Sequence, residues 1–322
     1  MLAVTADAVN PDDPLAGLGV GQIPDPEGRD GWIWVEVRAA ALNHHDLWTL
    51  KGVGISPDRL PIVLGCDAAG VGPDGAEVVV HAVIGDAAAG GGDETLDPKR
   101  SLLSEVYDGT LAERVLVPRS NVIPKPAAWS FEQAACVPTA WLTAYRMLAT
   151  RGRLEAGETI LVQGAGGGVS TALIVLGRAM GLRVWATSRD EQRRERARAL
   201  GAHDCFEPGA RLPERVDAVM ESVGAATWSH SLKALRPGGR VVVCGATSGA
   251  GPAADLNRIY FLQLSVIGST MGTRSELAEV LQFMDSAGVR PLIDSEFELS
   301  NARDAFQRLA SGDAFGKIVL TV

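Results

Sequence analysis

The run Thr159-Ile-Leu-Val-Gln-Gly-Ala-Gly-Gly-Gly-Val-Ser170 constrains the chain more than any other stretch. Thr159 to Val162 read as a short buried strand, glycines follow at 164, 166, 167 and 168, and Ala172 to Met180 is an apolar segment of helical length. Strand, glycine bend and helix, in that order, form the setting in which a dinucleotide pyrophosphate is held. Glycine lets the backbone approach the anion closely. The helix offers it unsatisfied N–H groups and the positive end of its dipole. The spacing departs from G-x-G-x-x-G, because the place of the last glycine is taken by Val169, with the small Ser170 beside it. A plain structural turn in another α/β protein would use the same glycines, so the residues downstream decide.

Arg183 to Thr187 read as the next strand. At its tip an acidic residue would bind the ribose hydroxyls of NAD. Ser188 and Arg189 stand there instead, with Arg193 and Arg194 just beyond and Asp190 and Glu191 between. A short hydroxyl and a guanidinium suit a 2′-phosphate, so Ser188, Arg189 and Arg193 point to NADPH over NADH. The alternative is that Arg193, Arg194, Arg196 and Arg198 only decorate a solvated helix face. For Arg196 and Arg198 that is the preferred reading.

The 322 residues fit two domains, and 46% hydrophobic residues suffice for ordinary cores. No apolar run reaches membrane-spanning length, and the first residues lack the basic start and apolar core of a signal peptide. A net charge of −9 argues against a nucleic-acid surface. Cys66, Cys136, Cys205 and Cys244 are scattered, with no C-x-x-C pair, so neither a zinc knuckle nor a disulfide framework is indicated. A cytoplasmic location with reduced thiols is expected.

Along the chain, Leu2 to Thr5 is a candidate edge strand and Trp32 to Ala39 a strong strand by its β-branched and aromatic content. Ala40 to Leu50 is a helical turn. Pro61 to Val71, Glu77 to Val83 and Leu111 to Val117 are further strands, and Gly85 to Asp108 reads as a mobile surface lobe. This front part looks like an antiparallel, barrel-like β domain. From Ser130 the pattern turns helical (132–135, 139–149), then strands at 159–163, 183–187, 216–220, 240–244 and 264–268 alternate with helices, as in a doubly wound parallel sheet. The tail adds a helix (275–287), a strand (293–297), a helix (301–311) and a last strand (317–322). It is expected to fold back onto the front domain, giving a β domain of 1–125 and 270–322 and a dinucleotide domain of 126–269.

Six motifs in order resemble one known family: Val35-Glu-Val-Arg-Ala-Ala-Ala-Leu-Asn-His-His-Asp46, Gly65-Cys-Asp-Ala-Ala-Gly70, Gly109-Thr-Leu-Ala-Glu113, Gly164-Ala-Gly-Gly-Gly-Val169, Leu235-Arg-Pro-Gly-Gly239 and Gly316-Lys-Ile-Val319. Together they are similar to the medium-chain dehydrogenase/reductase superfamily, and within it to the zinc-lacking quinone oxidoreductase-like branch. The resemblance implies a GroES-like β-barrel domain, a central Rossmann domain and a cleft between them. Zinc members carry a cysteine where this chain has Asn43, His-Glu where it has Cys66-Asp67, a later cysteine where it has Thr139, and a four-cysteine lobe where Gly85 to Asp108 has none. No metal is therefore expected. A substitute site from His45, Cys66 and Asp67 is the alternative, against Cys66 as a small buried residue.

Without a metal, little stabilises the alkoxide formed from a simple ketone. A quinone or an enone eases this, because the added charge spreads onto an oxygen that hydrogen-bond donors can hold. The expectation is NADPH-dependent hydride transfer to a quinone or α,β-unsaturated carbonyl. Two alternatives are a zinc-type alcohol dehydrogenase with altered ligands and a non-catalytic NADPH-binding protein.

His45 stands where zinc members place the Ser or Thr of a proton relay, and either protonates the reduced acceptor or is a satisfied histidine on a helical turn. Asn43 either bonds substrate or nicotinamide ribose, or caps its helix. His44 and Lys317 resemble residues that reach cofactor phosphates, and Lys317 reads equally as a surface lysine. Thr139 and Thr143 are candidates for the nicotinamide end. Val223, Gly245, Ala246 and Ser269 fall at expected carboxyl ends of parallel strands, where the crevice forms. Trp48, Tyr260 and Met271 are candidates for the substrate wall or plain core. Asp46 reads as structural. A homodimer is expected, since relatives often pair Rossmann domains edge to edge.

Overall fold

The computed structural model describes residues 1–322, which divide into two compact units. The first comprises Met1–Leu142, Met271–Asp285 and Arg290–Val322, and the second Thr143–Thr270 with Ser286–Val289. The helical stretch that starts at Phe131 runs on to Arg151, with π-type turns at Val137–Trp141 and Met147–Arg151. The boundary falls inside it, after Leu142, and not at 125 as expected.

The first unit is built on Trp32–Ala41, whose alternating apolar residues bury Ile33, Val35 and Val37. Its first half pairs with Arg114–Pro118 and its second half with Asp67–Val71. Lys317–Thr321 joins the other side of that second half, antiparallel, with Val319 opposite Ala41. The sheet order is Val122–Pro124, Glu77–Val80, Asp67–Val71, Trp32–Ala41, Lys317–Thr321, Ile293–Glu298. A second sheet sets Leu18–Gln22, Leu2–Ala6 and Ile62–Val63 side by side. Leu64, Leu103, Leu111, Phe306 and Leu320 are fully buried in the common core.

Residues 85–108, expected as a mobile lobe, make defined contacts. Val83–Ile84 pairs with Ser101–Leu102, and Asp97 Oδ2 accepts the Asp86 N–H at 2.8 Å. Glu94 Oε1 accepts the Arg274 N–H at 2.6 Å.

The second unit is a parallel sheet in the order Asp204–Phe206, Arg183–Thr187, Thr159–Val162, Val216–Glu221, Leu235–Val243, Ser265–Gly268. The edge strand Asp204–Phe206 is too short to show a period in the sequence. Chain order reverses at Thr159–Val162, so a topological switch point lies between it and Val216–Glu221. Because the strands are parallel, residues 163–167, 188, 222–224, 244–246 and 269 all lie at one end of the sheet.

Candidate functional site

The dinucleotide end is set by conformations that only glycine holds without strain. Gly164 has φ +79° and Gly166 φ +131°. A Cβ on Gly164 would stand 2.8 Å from Val223 Cγ2. Thr187 Oγ1 accepts the Gly164 N–H at 3.1 Å and donates to Gln163 Oε1 at 2.8 Å, and Thr187 O accepts the Ala165 N–H at 2.7 Å. Ser170 completes the bend by accepting from Gly166 N–H (3.0 Å) and donating to Gly167 O (3.0 Å). Helix Gly168–Ala179 begins with Gly168 and Val169 and has no side-chain cap at Gly167. Nothing lies nearer than 3.9 Å to the Cβ that Gly167 lacks. An open helix N-terminus approached by bare backbone fits a pyrophosphate.

Across the switch point, the buried carboxylate of Glu221 accepts from Val223 N–H (2.8 Å), Gly224 N–H (3.0 Å), Thr227 Oγ1 (2.9 Å) and Ser231 Oγ (2.6 Å). It fixes the Val223 turn, a role the sequence did not reveal. Gly245 and Ala246 follow strand Leu235–Val243. Ser269 follows the edge strand, its buried Oγ without a hydrogen-bond partner.

At the tip of Arg183–Thr187, Ser188 is buried and its Oγ accepts the Asp190 N–H at 3.2 Å. Arg189 is exposed, and Arg193, half-buried, donates its N–H to Asp190 Oδ1 at 2.9 Å. Arg194, for which a solvated helix face was the alternative reading, is buried, donating to Ser188 O at 2.6 Å and pairing with Glu191. It braces the tip that carries Ser188 and Arg189.

In the first unit, helix His44–Leu50 opens with Asn43 at its N-cap position, and Asp46 Oδ2 accepts the Asn43 N–H at 2.8 Å. Burial pushes the Asp46 carboxyl up to about 7. The Asn43 side chain points away from its helix. Its Nδ2 donates to Asp67 Oδ2 at 2.9 Å and to Ala41 O at 3.3 Å, and its Oδ1 accepts from Lys317 Nζ at 2.7 Å. Lys317 Nζ also donates to Leu42 O (2.7 Å) and Asp67 Oδ2 (2.9 Å). All three ammonium protons are thus used, with 3% of the side chain exposed. Two expectations are corrected. Lys317 is neither a phosphate ligand nor a surface lysine, and Asn43 has no donor left for a substrate.

These residues do not fit a zinc ion. A buried ammonium already neutralises Asp67. Burial, with Asp46 and Asp67 nearby, pushes the Cys66 thiol well up, and Cys66 donates to Leu103 O at 3.3 Å. No three His, Cys, Asp or Glu side chains converge as a ligand set.

His45, like Asp46 and Asp67, keeps unmet bonding capacity. Its Nε2 is buried without a hydrogen-bond partner. Burial lowers its pKa, while Asp67 acts in the opposite direction. Glu105 Oε1 stands 4.0 Å from that nitrogen. Glu105 was missed because its segment has no periodicity and no family motif.

The other expected residues divide as follows. His44 is exposed at the first helical turn, and Trp48 is half-buried. Thr139 lies in the Val137–Trp141 π-turn with a buried Oγ1 that has no partner. Thr143 is buried in the second unit. Met271 is core, packed with Cys66, Ala82 and Val83. Tyr260 is 68% exposed on Leu256–Phe261. That helix leads into the amino end of the edge strand, where Leu262 O accepts the Gly238 N–H at 2.8 Å. Tyr260 therefore lies at the opposite end of the sheet from the crevice and is no part of a substrate wall.

Comparison with known proteins agrees with this architecture. Residues 29–127 match the family described as the alcohol dehydrogenase GroES-like domain, and 168–286 the family described as zinc-binding dehydrogenase. Acryloyl-coenzyme A reductase of Metallosphaera sedula is 29% identical over 332 residues, covering 95% of this chain and 96% of the relative. Quinone oxidoreductase of Pongo abelii is 28% identical over 310 residues, covering 92% and 90%. A crystal structure of an NAD-dependent alcohol dehydrogenase superposes with a TM-score of 0.91 at 34% identity, covering all of both chains.

Proposed function

Since the chain belongs to the medium-chain dehydrogenase/reductase superfamily of nicotinamide-dependent oxidoreductases, we propose that it reduces quinones or α,β-unsaturated carbonyls with NADPH and without zinc. The observation that carries this reading is the Lys317 ammonium bonded to Asp67 and Asn43, two of the positions that the resemblance assigns to metal ligands or their neighbours. With a fixed protein cation there, the acceptor must carry its own charge delocalisation, as enones and quinones do. Relatives named for acryloyl-coenzyme A and quinone reduction support the same substrate class.

When bound, the nicotinamide supplies the hydride. The chain's own residues do the rest. Gly164, Gly166, Gly167 and the first turn at Gly168 and Val169 hold the pyrophosphate, and Glu221 keeps the Val223 turn rigid beside the bend. Ser188, Arg189 and Arg193 recognise the 2′-phosphate. His45, whose pKa its burial lowers, passes the reduced acceptor its proton.

The edge strand Ser265–Gly268 has exposed backbone and, with Leu256, Tyr260, Phe261 and Val266, presents an uncovered apolar face. A second copy pairing along it gives a homodimer. No helix is long and apolar enough to cross a membrane. Four unpaired cysteines suit a reducing cytoplasm.

The test is NADPH and NADH oxidation with a panel of quinones, enones, enoyl thioesters and simple aldehydes, with and without chelator, beside metal analysis of the purified protein. Chelator-insensitive NADPH turnover of conjugated acceptors is expected. Stoichiometric metal, or aldehyde reduction abolished by chelator, overturns the proposal.

A further inference from the structure

We propose that Glu105 is a positioning residue that feeds protons to His45, so that the proton accompanying each hydride enters from solvent through this carboxyl. The proposal rests on the reductase reading above. It starts from an unsatisfied atom. His45 Nε2 is buried with no hydrogen-bond partner, and a carboxylate oxygen 4.0 Å away faces it. A buried ring nitrogen without a partner is disfavoured unless it has work to do. Separations of this kind shorten when an acceptor binds and the site tightens.

The backbone aims Glu105 at the ring. Ser104 takes a left-handed conformation, φ +66°, and donates its N–H to Tyr107 O at 2.8 Å, closing a tight turn. The Leu102 N–H anchors Glu105 Oε2 at 3.0 Å. One oxygen is thereby fixed and the other left towards His45. Exposure rises outward along the pair, from 15% for the His45 side chain to 24% for Glu105. Glu105 is thus the member that exchanges protons with water.

The surrounding charges suit transfer. Asp67 acts on His45, Lys317 and Lys51 act on the neighbouring His44, Arg100 acts on Glu105, and Asp46 lies in the next position of the helix. Burial raises the Glu105 pKa and lowers that of His45, so the two proton affinities converge. A narrower gap in proton affinity eases transfer between them.

The step balances. NADPH loses a hydride to the far carbon of the acceptor. Water protonates the Glu105 carboxylate, and the Glu105 O–H bond breaks as Nε2 of neutral His45 takes that proton. A C–H or O–H bond then forms on the acceptor as an N–H bond of the resulting imidazolium breaks, which leaves His45 neutral and Glu105 ionised again. One solvent proton is consumed per hydride.

Two measurements on the full chain decide it. Histidine NMR, assigned with His45→Gln, follows the His45 titration in the wild type and in Glu105→Gln. Loss of the carboxylate should lower the midpoint by about one pH unit, and an unmoved midpoint overturns the pairing. In turnover of NADPH with an enone, Glu105→Gln should lower kcat about tenfold or more, change the pH profile and leave KM within about twofold. Glu105→Asp should regain part of the rate. An unchanged kcat and pH profile in Glu105→Gln also overturns the proposal. A wild type that turns over no acceptor ends the reductase reading and the relay with it, while the midpoint still reports whether the two side chains are coupled. The two failures are thus separable.

Discussion

Lys317 Nζ and Asp67 Oδ2 lie 2.9 Å apart with 3% and 0% of their side chains exposed, joining residues 250 positions apart in sequence. Removing one member strands the other's charge. Lys317→Met should lower unfolding free energy by about 3–5 kcal/mol, against ~1 kcal/mol or less for an exposed pair. Lys317→Met combined with Asp67→Leu should recover much of the loss. Urea unfolding of the three variants checks this, and a single-variant loss no larger than that of a surface pair would refute it.

Gly164 and Gly167 should respond differently to alanine. Gly164 needs φ +79° and meets Val223 Cγ2 at 2.8 Å. Gly164→Ala should therefore cost at least about 1–2 kcal/mol of stability. Gly167→Ala enters open space and should barely move Tm, yet weaken dinucleotide binding by blocking the backbone's approach to the anion. Thermal unfolding beside fluorescence titration with NADPH separates the two effects.

Arg189→Ala should raise the KM for NADPH about tenfold, the loss of one phosphate contact, and leave NADH kinetics nearly unchanged. Equal effects on both cofactors would remove Arg189 from 2′-phosphate recognition.

Asp46 gives stability a pH slope of definite sign. Its carboxyl is raised from an ordinary 3.8 to about 7 by burial. Between those values the folded protein keeps a proton that the unfolded chain has released. The stabilisation linked to this group is complete below 3.8 and is lost as pH rises through 7, at about 1.4 kcal/mol per pH unit between. Asp46→Asn should flatten that slope. Denaturant midpoints at pH 5, 6, 7 and 8 for both proteins give the difference, and parallel curves would contradict it.

Phe261→Glu and Val266→Lys place charge on the exposed apolar face, where the wild-type residues are 79% and 48% exposed. Sedimentation should show a dimer for the wild type and a monomer for the double variant, with the fold intact by circular dichroism. A wild type that is monomeric at micromolar concentration would discard the dimer.

The glycine bend and the parallel sheet were legible because each rests on local signals. Gly164 and Gly166 serve conformations fixed within a few residues, and strands 159–162, 183–187 and 216–221 appear as apolar runs between turn residues. Asp204–Phe206 was not legible, since three residues carry no period. Lys317 was misread for another reason. Its burial depends on partners at 42, 43 and 67, and no local pattern announces a contact that far away. Arg194 and Glu105 share that limit. Arg194 sits in an arginine-rich stretch where only packing separates the buried one from the solvated ones. Glu105 lies in a segment whose order comes from its ladder, its tight turn and its carboxylate contacts instead of from periodic apolar residues.

The strand Lys317–Thr321 lies between Trp32–Ala41 and Ile293–Glu298 in the first unit's sheet. During synthesis Trp32–Ala41 therefore waits with an unfilled slot beside Ala39, Ala40 and Ala41 until Lys317–Thr321 is made. Most of the central unit, 143–270, is by then already available to fold. Until then the first unit holds an open β edge, of the kind that pairs readily with other chains.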